Sequence, residues 1–289
     1  MSDNSSSTGQ KHPYHLVDPS PLPFLSSIAA LAMAAGLVFY MHYETTWLLI
    51  LGTIGLLTIM FIWWRDIINE STFQKVHTPV VELGLRYGMA LFIASEVMFF
   101  VAFFWAFFDA SLTPKLPIEE YTEIFDTDGA VGVWPPEGIK TFDPLDVPFL
   151  NTLILLMSGT TCTWAHHAVR EGHRDQAIQA LWITVGLGVF FTFMQGVEYY
   201  EAALHYFSFT DGIYPSVFYM ATGFHGAHVI IGTIFLIVCF FRSLKGINPK
   251  KHLGFEFAAW YWHCLLYTSP SPRDATLARM AWSAWKKKG

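Results

Sequence analysis

Few side chains in this sequence can do chemistry, and the strongest candidates sit in apolar surroundings. Glu96 is the one ionisable group in the 21 residues from Gly88 to Phe108. A run of that length spans the hydrocarbon core of a bilayer. A charged carboxylate near its middle costs roughly 2.5–3.5 kcal/mol on insertion scales, so such a group faces protein, keeps its proton, or both. Two readings fit Glu96: a protonated carboxyl hydrogen-bonded between helices, or a site that handles protons. His225 and His228 lie in a second run without formal charge, the 28 residues from Tyr214 to Phe241. Three residues apart, they share nearly one helix face, and the run is centred on His228, at the depth expected of Glu96. An imidazole and a carboxyl at equal depth can share a proton, because burial disfavours the charged form of each.

A metal or haem site is the weaker use of these histidines. His166 and His167 are adjacent, so on a regular helix they project about 100° apart and cannot both enter one site. His225 and His228 could, but no Cys or Met stands at ligand spacing beside them. Of the three cysteines (Cys162, Cys239, Cys264), two lie inside apolar runs and read as small hydrophobic filler. No metal ligand is expected. Trp63, Trp64, Arg65, Arg242 and Lys245 stand at the ends of apolar runs, as ordinary interfacial anchors or as a site for anionic lipid.

The elements that must position these groups are membrane helices. The chain is 53% hydrophobic and only 14% charged, where a soluble domain carries about 25% charged residues. Spans are expected at Pro19–Tyr43, Thr45–Trp64, Leu83–Phe108, Val147–Val169, Ala177–Val197 and Tyr214–Phe241. Residues 1–18 have no basic segment leading into a short apolar core, so they read as a cytoplasmic lead and not a signal peptide. The connection 109–146 holds nine acids, two lysines and several prolines, and reads as an extramembrane loop. With the N-terminus inside, the inner segments carry ten lysines and arginines and the outer ones only Lys115 and Lys140, the asymmetry expected of a multi-pass membrane protein. The net charge of −6 argues against a nucleic-acid partner.

A series of segments, in order over residues 14–263, resembles subunit III of the haem–copper cytochrome c oxidases: YHLVDPSPLP (14–23), WWRDIINESTFQ (63–74), GLRYGMALFIASEVMFFVAFFWAFF (84–108), WPPEGI (134–139), TWAHHA (163–168), QGVEYYEA (195–202), TGFHGAHVIIGTIFLIVCFFR (222–242) and GFEFAAWYWH (254–263). The resemblance implies an all-α integral membrane fold of seven helices, two (residues 19–69) standing across a lipid-filled cleft from five (residues 70–263). It implies a non-redox subunit of an oxidase that passes electrons from cytochrome c to oxygen and pumps protons. Haem and copper would belong to the partner subunits I and II, and this chain would hold bound phospholipid and no cofactor of its own. Glu96 takes the place of the family's carbodiimide-sensitive carboxyl, linked to proton uptake from the inner side. The family's phospholipid positions fall on Trp63, Trp64, Glu70, His77 and Arg242. A bacterial cell membrane is the expected location, with the mitochondrial inner membrane as the alternative.

One departure stands out. The family continues past WYWH (260–263) with an apolar half-helix, whereas this chain reads CLLYTSPSPRDATLARMAWSAWKKKG. The apolar stretch Leu253–Tyr267 is too short to span, and Pro270 and Pro272 stop any helix. The seventh helix is therefore expected to be truncated. Residues 264–289 are expected to be foreign, since CLLYTSPSPRD resembles the translation of a transposase-type library adapter. The nearest alternative for the whole chain is the equivalent subunit of a quinol oxidase or nitric oxide reductase; those relatives tend to lack the first two helices, and WWRDIINESTFQ is present here. A stand-alone proton-coupled transporter would need broken, Gly- or Pro-interrupted helices near the midplane, and no pair of spans shows them.

Overall fold

The computed structural model describes residues 13–74, 76–114, 134–136, 138–143, 145–247, 249 and 252–268. Most of the N-terminal lead, the middle of the 109–146 loop and the tail beyond residue 268 lie outside the described residues. The described residues form α1 (Leu22–Tyr43), α2 (Trp47–Asn69), α3 (Pro79–Leu112), α4 (Val147–Glu171), α5 (Arg174–His205), α6 (Ile213–Lys245) and α7 (Leu253–Thr268), with no strand among them. Prolines set several starts: Pro23 and Pro148 lie in the first turns of α1 and α4, and Pro79 opens α3. Proline there loses a donor that had no intrahelical partner anyway. Contacts divide the chain into two units, Met1–Gly88 and Met89–Gly289.

In the first unit α1 and α2 form an antiparallel hairpin. A Cβ on Gly36 would stand 2.3 Å from the Leu49 nitrogen, and one on Gly52 would stand 2.3 Å from that of Met33. The two backbones therefore meet where side chains are missing. Glu44 ends α1 in the left-handed region, at φ 54°, with its N–H donating to the Tyr40 carbonyl at 2.9 Å. Past Asn69 the helix widens into a π-helical turn, Glu70–Gln74.

In the second unit α4, α5, α6 and α7 pack in a ring, each on the next in sequence and α7 back on α4. Five helices, α1, α2, α3, α5 and α6, are long and apolar enough to cross a membrane. The fourth expected span differs. At 25 residues α4 has the length, but it carries Asn151, Thr152, Ser158, Thr160, Thr161 and Thr163. Its position explains part of this composition: Asn151, Ser158 and Thr161 find partners on neighbouring helices, while Thr152 and Thr160 bond carbonyls of α4 itself. Ser158 Oγ donates to the Thr184 carbonyl at 3.1 Å and accepts from Trp262 Nε1 at 3.1 Å, while the Thr161 and Thr184 hydroxyls lie 2.8 Å apart.

Trp262 is the largest fully buried side chain. A Cβ on either Gly188 or Gly232 would come within 2.9 Å of its indole, so α5 and α6 leave a slot that the ring fills. Gly172, at φ 80°, closes α4, and the His173 N–H returns to the Ala168 carbonyl at 2.8 Å; a Cβ would strain this left-handed turn. The Arg174 guanidinium then bonds the Ser243 and Leu244 carbonyls at the end of α6, where a cation suits the helix dipole. Cys264 and Leu265 are buried, and Leu266 packs on the core. The first residues beyond the WYWH motif thus continue α7 and complete its inner face.

Candidate functional site

The side chains that sequence places at equal depth do meet. Glu96 on α3 and His228 on α6 approach to 2.7 Å between Oε2 and Nε2. The other imidazole nitrogen, Nδ1, lies 2.6 Å from the Phe224 carbonyl one turn earlier. A carbonyl oxygen only accepts, so Nδ1 carries a hydrogen. Two protonation patterns then satisfy the Glu96 contact. With a neutral imidazole, Nε2 accepts and the carboxyl must donate. With an imidazolium, Nε2 donates to a carboxylate. Either way one proton lies between the two atoms and the pair is neutral overall, which spares the cost of an isolated buried charge.

Aromatic rings flank His228 in this pair. The His228 ring lies 5.3 Å from Phe100, 6.1 Å from Phe99 and 6.5 Å from Tyr261, centroid to centroid. Tyr261 is nearly parallel to His228 and has Phe92 stacked at 6.3 Å. Because Tyr261 adjoins Trp262 on α7, the tryptophan slot also holds this ring in place. The packing limits the movements available to the imidazole, while both side chains of the pair stay partly accessible, at 16% and 22%.

His225 takes a different position. It is buried, with Phe100 and Phe191 edge-on at 6.2 and 5.9 Å. Neither of its ring nitrogens has a hydrogen-bond partner among the described residues. The structure therefore pairs His228 with Glu96 and leaves His225 one turn away.

The expected lipid positions fall into two groups. In the first unit, Glu70 on the π-helical turn lies 3.7 Å from His15 and 3.9 Å from His77. Thr78 Oγ1 ties the N-terminal segment to this cluster by donating to the Pro13 carbonyl at 2.6 Å. Trp63 and Trp64 stay exposed at the end of α2, beside the Arg65–Asp66 ion pair. Arg242 belongs to the second unit, half-buried in the last turn of α6. His166 and His167 are neighbours in space as well as sequence, with ring centroids 6.5 Å apart. Among the described residues no three His, Cys, Asp or Glu side chains group to hold a metal ion.

Sequence reasoning passed over two features. Tyr261 sits inside the WYWH motif, but its stacking depends on a helix-to-helix register that spacing does not give. Glu198 reads as one acid of EYYEA at a helix end, yet Asn151 on α4 donates to it at 3.1 Å. The available signal was position: Gln195, Glu198 and Tyr199 lie within one turn of α5, and polar neighbours at that spacing share a helix face.

Comparison with known proteins agrees with this architecture. The family model described as cytochrome c oxidase subunit III matches residues 12–267. A "Cytochrome c oxidase subunit 3" from Tragelaphus oryx is 54% identical over 257 residues, which is 89% of this chain and 93% of the relative. A protein of the same description from Gadus morhua is also 54% identical over the same shares, and one from Dugong dugon is 53% identical.

Proposed function

The chain belongs to the cytochrome c oxidase subunit III family, and we propose that it serves the oxidase as a membrane scaffold and proton antenna without a redox centre of its own. As a multi-pass membrane subunit of that complex, it would steady the catalytic subunit I and lie beside subunit II. Haem and copper would reside in those partners. Trp63, Trp64, Glu70 and His77 in the first unit and Arg242 in the second would hold phospholipid: exposed indoles suit the interface, and a guanidinium suits a phosphate headgroup.

The 2.7 Å contact between Glu96 and His228 carries the proton reading. Its geometry favours an antenna over a through-wire. A proton arriving at the carboxyl can displace the shared one onto Nε2. The imidazole cannot then pass its Nδ1 hydrogen onward, because the Phe224 carbonyl facing that nitrogen accepts the hydrogen bond but is too weak a base to take up and relay the proton. Protons therefore enter and leave by the Glu96 side. Such a pair stores a proton close to its supply and returns it when the catalytic subunit draws on that supply.

The assembled oxidase carrying Glu96→Gln, reconstituted in vesicles, tests this reading. Proton uptake at the inner surface, followed with a pH-sensitive dye, should slow several-fold under conditions where uptake limits turnover. Labelling of this chain by a hydrophobic carbodiimide should fall by the share that Glu96 takes. Uptake at the parent rate would overturn the antenna role and leave Glu96 a packing residue.

A further inference from the structure

Glu198 and Asn151 form a further polar contact between helices, sharing no residue with the Glu96–His228 pair. Asn151 stands four residues into α4, about 6 Å from its start, at the end of the bundle opposite the Arg170–Arg174 turn. Its Nδ2 donates to Glu198 Oε2 at 3.1 Å. Its Oδ1 is buried and has no hydrogen-bond donor among the described residues, while the residue as a whole is only 5% exposed. A buried amide oxygen without a partner costs about 1–3 kcal/mol and calls for an explanation.

A proton on Glu198 supplies one. A carboxylic acid and a primary amide are complementary: the amide N–H donates to one carboxyl oxygen, and the carboxyl O–H donates to the amide oxygen. The observed bond is half of that pair, and the unpartnered Oδ1 is the acceptor for the other half. Turning the amide over leads to the same conclusion. Oδ1 would then face Oε2, and two oxygens at that distance need a hydrogen between them. Among the described residues the charged group acting on Glu198 is another acid, Glu201, and not a cation. The groups facing Glu198 are Asn151 from α4, and Tyr199 and the exposed Glu201 from its own helix. The Tyr199 hydroxyl is engaged by Thr222 Oγ1 on α6 at 2.5 Å, and its ring meets Tyr219.

We propose that Glu198 and Asn151 form a carboxylic acid–amide pair that binds one proton, a second proton-holding site in the α4–α7 bundle, independent of Glu96. On uptake the proton adds to a Glu198 oxygen and the new O–H donates to Asn151 Oδ1. On release it returns to water, leaving a carboxylate with the single Asn151 N–H bond.

Infrared spectroscopy of the purified oxidase complex tests this. A protonated carboxyl has a C=O stretch distinct from that of a carboxylate, and it shifts on exchange into deuterium oxide. Glu198→Gln should assemble normally, because an amide offers the same donor and acceptor to Asn151, and it should remove one carboxyl's share of that band. Asn151→Leu should keep the band but move it to higher frequency, since the carboxyl loses its partner. Glu96→Gln should leave this component untouched. An unchanged protonated-carboxyl region in Glu198→Gln would overturn the proposal, as would failure of that complex to assemble. So would an unmoved band in Asn151→Leu.

Discussion

The α1–α2 hairpin and the α4–α7 bundle hold apolar helices together by different means. In a bilayer, association cannot rely on apolar burial, because lipid tails are as apolar as leucine. The hairpin uses bare backbone. Ala29 and Gly36 are its buried residues on α1 and Gly52 on α2, while Leu31, Leu51, Ile54 and Phe61 remain exposed. The bundle uses shape and polarity: one tryptophan in a glycine-lined slot, and hydroxyls bridging α4, α5 and α7. The first arrangement presents a smooth surface to lipid, and the second fixes side chains to within a hydrogen bond. A site that must hold a proton between two atoms needs the second kind of support, and Glu96 meets His228 beside it.

The largest expected effect falls on the slot. Trp262→Ala should cost about 3–5 kcal/mol, the usual range for emptying a core aromatic site, because Gly188 and Gly232 have no side chains with which to refill it. Heat-driven loss of helicity of the detergent-purified chain would show the drop. Tyr261 should lose its hold on His228 as well, so carbodiimide labelling of Glu96 should change in rate. A stability loss with labelling unaltered would separate the slot from the proton pair.

Next comes the hairpin. Gly52→Leu puts a side chain where the Met33 backbone lies and must force the helices apart, at about 1–3 kcal/mol for overpacking. Cysteine cross-linking across the α1–α2 contact should fall in yield, whereas the Glu96–His228 infrared signature should not move. If both respond, the division of labour between hairpin and bundle is wrong.

Much of this arrangement was legible in the sequence because lipid imposes strict rules. Apolar runs gave the helices, and the depth of Glu96 and His228 within two such runs anticipated their contact. What depth could not give was rotation about the helix axis, which is why His225, one turn outward on nearly the same face, stayed a candidate beside His228 until the structure turned it toward Phe191. The α4 helix shows the same limit from the other side: Asn151, Ser158 and Thr161 weaken the membrane signal because they are used inward. Glu198 was hidden for a related reason, since its partner is a single asparagine on a helix whose pairing no spacing rule reveals. The chemistry of the site was visible in residue types, and its supporting ring stack was not.

The smallest effect is the most informative about how the bundle works. Ser158→Ala removes the acceptor for Trp262 Nε1 and the donor to the Thr184 carbonyl. An orphaned N–H costs up to about 3 kcal/mol in a water-soluble core. Hydrogen bonds between membrane helices average nearer 0.6 kcal/mol, because the separated helices also find partners. The Thr184 carbonyl keeps its place in the α5 ladder, so the indole should dominate the loss, and about 1 kcal/mol is expected. A double-mutant cycle isolates that term. In a Trp262→Phe background no N–H is left unpaired, and Ser158→Ala should then cost measurably less. Equal losses in the two backgrounds would mean that the hydroxyl merely fills space and that the fit of the indole between Gly188 and Gly232 alone fixes α7 and, through Tyr261, the imidazole that shares the proton.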